Sequence, residues 1–286
     1  MAKKAAFLPS EATKLLKNLR QKRPLTHCIT NYVTANDCAN VLLAFGASPI
    51  MADEPEEAGE IVALSAGLYI NLGTLNRTSI EAMFEAGRRA NALGIPATLD
   101  PVGVGASTLR TETARRLLNE IQFAAIRGNV SEIMSLIFGT GSTKGVDAAV
   151  ADAVSEANRR TTAERLREFA EAFQTTIVAT GASDLVVDAE RFATIRNGSV
   201  WATRITGAGC MASAAVCACV AANPSQVWEA AVAATAAFGV CGETAERRAK
   251  AGTATFRTAL IDAASTAEPE QLTAAFRVET ERFGAV

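Results

Sequence analysis

The chain of 286 residues is 49% hydrophobic and 20% charged, a composition typical of a globular protein with enough apolar material for a sizeable core. Its formal net charge is −2 and its Lys and Arg residues are scattered, so we expect neither a nucleic-acid partner nor a membrane partner. No apolar run reaches the roughly 18 residues of a membrane-spanning helix, and the six cysteines include no CxxC pair, which predicts a cytoplasmic protein with reduced thiols.

Short apolar runs alternate along the chain with longer stretches of helical periodicity. The apolar residues predict strands at 68–73, 95–99, 123–126 and 176–179, and helices between them at 79–93, 108–119 and 146–173. Gly94 fits the end of the first of these helices. Strand, turn, helix and strand again is typical of βαβ units. The sequence therefore predicts an α/β fold with a mostly parallel central sheet and helices on both faces.

The pattern changes after residue 180. Three short apolar runs with turn residues between them, at 184–188, 191–195 and 199–202, predict an antiparallel meander at one edge of the sheet. From Cys210 onward the sequence is almost wholly helical in character. No linker composition and no internal repeat interrupts the chain, so we interpret residues 1–286 as a single domain.

An open α/β sheet binds its ligands at the carboxyl ends of its parallel strands, so residues at those ends are the candidates for function. The segment Thr206-Gly207-Ala208-Gly209-Cys210 opens a run of small and apolar residues that predicts a helix. Glycines at alternate positions let successive backbone N–H groups point into one concavity, and the helix N-terminus adds its positive end. These features predict an anion hole for a phosphoryl group. A tight turn packed closely against the helix explains the glycines alone about as well.

The segment from Arg127 to Glu132 follows a predicted strand and carries a cation, a glycine, an amide and a carboxylate. Asn129 as the N-cap with Glu132 three residues later has the pattern of a capping box, which is a structural role. Glu132 is also placed to bind a hydrated Mg²⁺ ion, which proteins often hold through one or two carboxylates plus substrate phosphates. Both roles can coexist. We expect Arg127 to contact phosphate, since an arginine without a ligand would be better solvated elsewhere on the surface.

Other polar residues also follow predicted strands. The carboxylate of Asp100 is expected to project over the edge of the sheet, and an Asx turn before Pro101 is the structural alternative. Thr180 is placed to bring its hydroxyl near a nucleotide phosphate or ribose, although a simple strand-to-turn transition explains it nearly as well. The remaining candidates at strand ends are Asn31, Met51 and Asn71.

Cys210 stands at the predicted helix N-terminus, where a thiol is expected to have a lowered pKa and more thiolate character. A cysteine–histidine hydrolase would need an imidazole base, and the single histidine of the chain is His27, in a run that predicts a strand. We therefore interpret His27 as a packed or substrate-side residue and favour phosphoryl chemistry. No pair of His and Cys residues has the spacing of zinc ligands.

Five motifs in this order resemble the hydroxyethylthiazole kinase family of thiamine salvage, from about residue 10 to the C-terminus. They are Pro24-Leu25-Thr26-His27-Cys28-Ile29-Thr30-Asn31-Tyr32-Val33, Ala47-Ser48-Pro49-Ile50-Met51-Ala52, Asp100-Pro101-Val102-Gly103, Arg127-Gly128-Asn129 with Glu132, and Thr206-Gly207-Ala208-Gly209-Cys210. Most ribokinase-like enzymes carry Asp where the Gly-x-Gly turn ends, whereas the thiazole kinases resembled here carry Cys. Cys210 is therefore the position that separates this chain from sugar and pyridoxal kinases.

The resemblance implies a ribokinase-like fold, a three-layer α/β sandwich, and a reaction in which ATP phosphorylates the hydroxyl of hydroxyethylthiazole. It also implies Mg²⁺ and a homotrimer whose substrate sites lie between neighbouring subunits. Carried over residue by residue, it places Cys210 at the position of the catalytic base and assigns thiazole binding to Met51 and Gly207, ATP binding to Arg127 and Thr180, and the metal to Asp100 and Glu132. We count Gly207, Ala208 and Gly209 as catalytic together with Cys210, because their backbone forms the predicted anion hole. We add Asn31 to the substrate-binding residues.

The sequence leaves two other functions open. A kinase of the same fold that acts on hydroxymethylpyrimidine, pyridoxal or a sugar would use similar phosphate-binding residues. A non-catalytic nucleotide-binding sensor would bind ATP without transferring its phosphoryl group. The presence of Asp100 and Glu132 together with Cys210 argues against a sensor, because a sensor needs no magnesium–phosphate apparatus.

Overall fold

Nine strands build one sheet in the computed structural model, which describes residues 7–138, 154, 157–249 and 252–284. The strands are β1 (Leu25–Ile29), β2 (Ser48–Met51), β3 (Gly67–Asn71), β4 (Ala97–Asp100), β5 (Ala125–Asn129), β6 (Thr176–Thr180), β7 (Asp184–Val187), β8 (Arg191–Ile195) and β9 (Val278–Arg282). Their order across the sheet is β2-β1-β3-β4-β5-β6-β7-β8-β9. The first six in this order are parallel, and the last three continue the sheet antiparallel. The predicted α/β fold with a mostly parallel sheet is confirmed.

Helices cover both faces of this sheet. They are α1 (Pro9–Lys22), α2 (Ala35–Phe45), α3 (Pro55–Leu64), α4 (Arg77–Leu93), α5 (Thr108–Glu120), α6 (Val130–Phe138), α7 (Arg159–Ala172), α8 (Ala208–Ala222), α9 (Val227–Arg248), α10 (Thr253–Thr266) and α11 (Pro269–Ala274). Helices α3 to α7 lie on one face, α8 and α9 pack on the other, and α1, α2, α10 and α11 pack outside α8 and α9. Each face has its own buried apolar core. None of the described helices has both the length and the apolar character needed to cross a membrane.

Helix α8 is made almost entirely of small residues and lies directly on the sheet. Every residue from Cys210 to Ala222 is buried. The small side chains bring the helix close to β1, β3, β4 and β5. At Gly67, the first residue of β3, an added Cβ atom would lie only 2.7 Å from the Cβ of Ala221. Packing at this distance fixes α8 against the sheet and thereby fixes the position of its N-terminus.

The carboxyl ends of the parallel strands meet at one edge of the sheet, where α8 begins. In the strand register, Asn71 of β3 lies beside Asp100 of β4, and Asn129 of β5 lies beside Thr180 of β6. The polar residues that the sequence places at the ends of separate strands are therefore neighbours in space. This arrangement follows from the parallel topology alone, because successive parallel strands end on the same side.

The predicted antiparallel meander is right for two strands and wrong for the third. Residues 184–188 and 191–195 correspond to β7 and β8, but Val200–Arg204 forms a 3₁₀ helix where a strand was predicted at 199–202. Ser199 starts that helix by accepting a hydrogen bond from the backbone N–H of Trp201 at 3.1 Å. The strand that completes the meander is β9, in the part of the chain expected to be almost wholly helical. Three of its five residues are charged, so it lacks the apolar alternation of a typical strand.

The helix predictions agree with the structure apart from their ends. The helix predicted at 79–93 is α4, and Gly94 ends it in the left-handed conformation with φ +68°. The long helix predicted at 146–173 is observed only as α7, which begins at Arg159 after a turn at 157–158. Residues 146–153, 155 and 156 of that prediction lie outside the described part of the chain.

The close packing of α8 on β3 can be tested with Gly67→Ala. The added methyl group would meet Ala221 at 2.7 Å, so we expect the free energy of unfolding to fall. A loss of about 1–3 kcal/mol is typical of an over-packed core. Gly59 in α3 provides the matched control, because an added Cβ there would contact only the flexible side chain of Glu85, at 3.5 Å. Gly59→Ala should keep the stability or raise it by up to about 1 kcal/mol in urea unfolding. Unchanged stability in Gly67→Ala would contradict this packing.

Candidate active site

The N-terminus of α8 is open toward the carboxyl ends of the strands. Gly207 is the N-cap residue, with φ +84°, and among the described residues no side-chain cap hydrogen bond is made to the helix. The first intrahelical hydrogen bond runs from the backbone N–H of Met211 to the carbonyl oxygen of Gly207, at 2.8 Å. The backbone N–H groups of residues 207–210 therefore have no partner within the helix, and they carry the positive end of its dipole. This is the backbone geometry that an anion hole requires.

The fold requires a glycine at one of the two glycine positions of the turn, Gly207, but not at the other, Gly209. At Gly207 the backbone is left-handed, and an added Cβ would lie 2.5 Å from Cγ2 of Thr34, so any larger residue would be strained. At Gly209 an added Cβ would meet only Nη1 of Arg127, at 3.9 Å. Close packing therefore explains Gly207, as the structural alternative supposed. It does not explain Gly209, which faces open space.

Two side chains from the sheet hold the first turn of α8 by its carbonyl oxygens. Nη1 of Arg127 donates to the carbonyl oxygen of Gly209 at 2.9 Å and to Oγ of Ser213 at 3.2 Å. The hydroxyl of Tyr69 lies 3.1 Å from the carbonyl oxygen of Cys210. Arg127 is only 8% exposed, and its Nε is buried without a hydrogen-bond partner among the described residues. Leaving such a donor unpaired is unfavourable, and an anion bound beside it would relieve this.

Cys210 lies in the first turn of α8 and is 9% exposed. Its sulfur accepts hydrogen bonds from Nδ2 of Asn31 at 3.4 Å and from Nδ2 of Asn71 at 3.3 Å. Burial raises the pKa of the Cys210 thiol, and the negative charge of Asp100 raises it further. The expectation of a lowered pKa is therefore wrong, because desolvation and a nearby anion outweigh the helix dipole. The thiol is protonated at neutral pH.

His27 is packed in the core. The side chain has no exposed surface, its Nε2 lies 2.7 Å from the carbonyl oxygen of Ala52, and burial lowers the pKa of the imidazole. The side chains that hydrogen bond to the Cys210 sulfur are amides instead. The described residues therefore give no support to a cysteine–histidine hydrolase.

The Asp100 carboxylate lies among hydrogen-bond donors at the end of β4. Its Oδ2 accepts from Nδ2 of Asn71 at 2.8 Å and lies 3.0 Å from the Tyr69 hydroxyl, whose single hydrogen is shared between Asp100 and the carbonyl oxygen of Cys210. The Asp100 side chain therefore bonds across the sheet rather than to the turn that follows. Burial raises the pKa of Asp100 to about 6, although the positive charge of Arg127 acts to lower it. The negative charge of Glu132 also acts to raise this pKa, and a hydrogen bond from Ser213 acts to lower it.

Glu132 forms the capping box that its spacing from Asn129 indicated. Its backbone N–H donates to Oδ1 of Asn129 at 2.8 Å, and its Oε2 accepts from the backbone N–H of Asn129 at 2.9 Å. Its Oε1 accepts from the backbone N–H of Gly103 at 2.8 Å, which ties the loop after β4 to the start of α6. Each carboxylate oxygen has a second lone pair, so these bonds leave room for a cation. Asp100 and Glu132 offer the hard oxygen donors that Mg²⁺ prefers. Within the described ranges no group of three or more His, Cys, Asp and Glu side chains could hold a metal by itself.

The other predicted site residues lie at or just after the ends of β1, β2 and β6, on either side of the central strands β3, β4 and β5. Met51, at the end of the edge strand β2, is 38% exposed and lines a pocket of about 150 Å³. Asn31 follows β1 and is buried, with its Nδ2 bonded to Oδ1 of Asn71 at 2.9 Å as well as to the Cys210 sulfur. Thr180 ends β6 and is half-buried. Hydrogen bonds thus connect Asn31 to the centre of the site, while Met51 and Thr180 lie on opposite sides of it.

Two residues of this network were not predicted from the sequence. Tyr69 lies inside a buried strand, where an aromatic residue indicates core packing, and Ser213 lies within an apolar helix. Tyr69 could have been identified from its hydroxyl, because a buried hydroxyl needs a hydrogen-bond partner. Asp100, at the end of the neighbouring strand β4, is that partner. Asn71 was a strand-end candidate without a role, and the structure places it between Asp100 and Cys210.

Comparison with known sequences gives one consistent result. A family model described as the hydroxyethylthiazole kinase family matches residues 16–270. The hydroxyethylthiazole kinase of Clostridium acetobutylicum is 46% identical over 267 residues, which cover 93% of this chain and 98% of that protein. The hydroxyethylthiazole kinase of Methanosphaerula palustris is 44% identical over 263 residues, which cover 92% of this chain and 96% of that one.

Comparison with solved structures agrees with the sequences. A hydroxyethylthiazole kinase protein from Pyrococcus horikoshii superposes with a TM-score of 0.84 at 34% identity, covering 95% of this chain and 99% of that one. The pyridoxal kinase of Staphylococcus aureus in complex with ADP superposes with a TM-score of 0.55 at 14% identity, covering 91% and 98%, and this likeness shows the fold alone. The expected ribokinase-like fold is confirmed.

The raised pKa of Asp100 predicts that the free energy of unfolding decreases as the pH rises. Because the folded-state pKa is about 6 and the ordinary value is 3.8, the folded protein binds more protons in this interval, and stability falls as pH rises through it. We expect Asp100→Asn to raise the free energy of unfolding by about 1–3 kcal/mol at pH 7.5 and much less at pH 4.5, measured by urea unfolding. Burial also raises the pKa of Asp184 to about 6, so part of the pH dependence will persist. A variant that is less stable than wild type at both pH values would contradict the prediction.

Proposed function

Because this chain belongs to the hydroxyethylthiazole kinase family, we propose that it transfers the γ-phosphoryl group of ATP to the hydroxyl of hydroxyethylthiazole, with Mg²⁺, as a step of thiamine salvage. The observation that carries the proposal is the uncapped N-terminus of α8 with Cys210 in its first turn. Arg127 reaches this turn directly, and Asp100 lies beside it through Tyr69. The proposed phosphoryl site at the N-terminus of α8 is therefore next to Cys210, the side chain that we assign to the acceptor hydroxyl.

The backbone N–H groups of residues 207–210 form the proposed anion hole. Charge shifts among the oxygens of the phosphoryl group during transfer, and fixed donors stabilise it without having to reorganise. The space beside Gly209 supports this role, since an added Cβ there would have Nη1 of Arg127, at 3.9 Å, as its nearest neighbour from the described residues outside the helix backbone. The unpaired Nε of Arg127 supports a phosphate contact for that residue. Thr180, half-buried at the end of β6, is the second residue that we assign to ATP.

The acceptor lies on the other side of the anion hole. Met51 lines a pocket of about 150 Å³, a volume suited to a small heteroaromatic ring. Asn31 lies on the same side of the site and donates a hydrogen bond to the Cys210 sulfur. Gly207 begins the turn next to Asn31 and Thr34, and its resemblance-based assignment to the thiazole is kept. We assign Met51, Asn31 and Gly207 to thiazole binding on these grounds.

Asp100 and Glu132 are the residues that would hold Mg²⁺. Their carboxylates repel each other, and a divalent cation between phosphate and protein would relieve that repulsion. When bound, the ion supplies charge neutralisation at the phosphate groups of ATP. Asp100 is held for this task by Tyr69 and Asn71, and Glu132 by its two backbone hydrogen bonds.

Cys210 orients the acceptor hydroxyl by contact with its oxygen. Because burial raises the pKa of the Cys210 thiol, the thiol keeps its proton and does not act as the base. Phosphoryl transfer through a loose transition state demands little deprotonation in advance, so the hydroxyl proton passes to an oxygen of the transferred phosphoryl group as the new O–P bond forms and the bond to ADP breaks. Placement is therefore the property of Cys210 that matters most.

We propose that the active form is a homotrimer with sites between subunits. The exposed apolar side chains beside the acceptor pocket support this, because Tyr32 is 81% exposed and Val33 is 53% exposed. Monomeric proteins seldom leave large apolar side chains together at the surface unless a partner covers them. The neighbouring Met51 lies on the edge strand β2, where the sheet itself ends.

The proposed reaction is tested by ADP release from purified protein with ATP and Mg²⁺. We expect release that depends on hydroxyethylthiazole and is at background level without an acceptor. Turnover should be at least about tenfold slower with hydroxymethylpyrimidine, pyridoxal or ribose, since a pocket shaped for one ring discriminates by a few kcal/mol. Faster turnover of one of those alcohols would reassign the acceptor. ATP binding without release on any of them would favour a sensor.

Gly209→Val tests the anion hole independently of the acceptor. The side chain would project into the open space in front of the first turn of α8, so we expect kcat to fall by about 100-fold or more, as when donors to a developing anion are lost. Gly242 in α9 is the matched control, since an added Cβ there would meet only Ser199, at 3.5 Å. Gly242→Ala should keep kcat within about twofold. Full activity in Gly209→Val would remove the anion hole from the mechanism.

A further inference from the structure

Asn71 occupies a position between the two ends of the proposed site. It is the last residue of β3 and is 1% exposed. Its Nδ2 lies 2.8 Å from Oδ2 of Asp100 and 3.3 Å from the sulfur of Cys210. The same nitrogen is 2.9 Å from the hydroxyl oxygen of Tyr69. One short side chain therefore touches both the carboxylate at the metal end and the thiol at the acceptor end.

The orientation of this amide is fixed by what its oxygen accepts. Oδ1 of Asn71 receives hydrogen bonds from Nδ2 of Asn31 and from the backbone N–H of Gly73, both at 2.9 Å. A flipped amide would place Oδ1 against the Asp100 carboxylate and would leave the donors of Asn31 and Gly73 facing an NH₂ group. The network therefore permits one orientation, in which the Nδ2 hydrogens face the carboxylate and the sulfur.

The number of hydrogens explains why an asparagine is suited to this position. A carboxamide has two N–H donors, shared here among Oδ2 of Asp100, the hydroxyl oxygen of Tyr69 and the sulfur of Cys210, so it can serve both ends of the site at the same time. A hydroxyl has a single hydrogen and could not serve both, and a carboxylate at neutral pH would repel Asp100. A leucine would match the size but would leave Oδ2 of Asp100 with fewer donors in a buried place.

We propose that Asn71 is a positioning residue for phosphoryl transfer: it holds the sulfur of Cys210 and the carboxylate of Asp100 at a fixed spacing. The proposal rests on the proposed kinase function. Cys210 lies on α8 and Asp100 on β4, so the spacing between them depends on how a helix sits on a sheet. A displacement of about 1 Å between reacting groups lowers a rate by roughly 100-fold. Asn71 sets this spacing directly, because it bonds to both groups.

A double-mutant cycle on kcat tests whether Asn71 acts through Cys210. The four proteins are wild type, Asn71→Leu, Cys210→Ala and the double variant, each assayed for thiazole-dependent ADP release. We expect Asn71→Leu to lower kcat by about 30-fold in the wild-type background and by about threefold or less in the Cys210→Ala background. Such a tenfold coupling lies within the range found for residues in contact. The KM for ATP should change by less than about threefold in Asn71→Leu, because Asn71 makes no hydrogen bond to Arg127 or Thr180, the residues assigned to ATP, and the variant keeps the Asp100 carboxylate for the metal.

Asn223 supplies the matched control for this cycle. It is also buried, at 4% exposure, and its Nδ2 donates to the carbonyl oxygens of Leu15 and Cys219 at 3.2 and 2.9 Å, beyond the last turn of α8. Asn223→Leu makes the same chemical change and should lower stability. Its effect on kcat should be equal in the two backgrounds, since it has no contact with Cys210. If Asn71→Leu does not fold, Asn71→Thr replaces it in the cycle, with a single short donor that cannot serve both acceptors.

The outcomes separate this inference from the function on which it rests. Thiazole-dependent ADP release by wild type, together with equal effects of the Asn71 substitution in both backgrounds, would overturn the positioning role and leave the kinase intact. Absence of that release in wild type would overturn both. A large rise in the KM for ATP with unchanged kcat would also overturn the inference, because it would place Asn71 at the nucleotide instead.

Discussion

The first turn of α8 is held against the sheet by hydrogen bonds to its carbonyl oxygens, from Arg127 to Gly209 and from Tyr69 to Cys210. These bonds use the acceptors of the turn and leave its N–H donors facing outward. A side-chain cap on the helix would have used the donors instead, and the described part of the chain supplies none. The helix is thereby attached to the strand ends without loss of the groups that an anion needs. Every contact that we assign to phosphate or acceptor depends on this arrangement.

Burial of the polar network has two opposite effects. It deprives Asp100 of water, so the carboxyl resists ionisation, and it raises the pKa of the Cys210 thiol. The same loss of water strengthens each hydrogen bond and charge interaction within the site, because little solvent screens them. A buried carboxylate near a second one, beside an arginine whose Nε has no partner in the described part of the chain, is an unfavourable arrangement for the protein alone. Under the proposed function, bound phosphate and a cation would offset this cost.

The sequence predicts the fold and the edge of the site well, because both follow from topology. Apolar runs alternating with helical periodicity require parallel strands, and parallel strands bring Asp100 and Asn71 to neighbouring ends. What the sequence could not predict depends on burial and on contacts across elements. Helix-dipole reasoning gave the wrong direction for the pKa of Cys210, since it took no account of desolvation or of Asp100. The charged strand β9 carries no apolar alternation, and only pairing with β8 makes it a strand.

The composition of α8 has a consequence for how sharply the site is defined. Alanine and glycine have no side-chain rotamers, so the helix loses little side-chain conformational entropy when it is buried. Seven of its 15 residues are alanine, and Gly209 lies in its first turn. Such a helix has few alternative ways to pack, because a surface without rotamers fits its neighbours in one manner or leaves voids. The atoms proposed to bind phosphate are backbone atoms of this helix. Because the helix has few alternative ways to pack, these atoms also have few alternative positions.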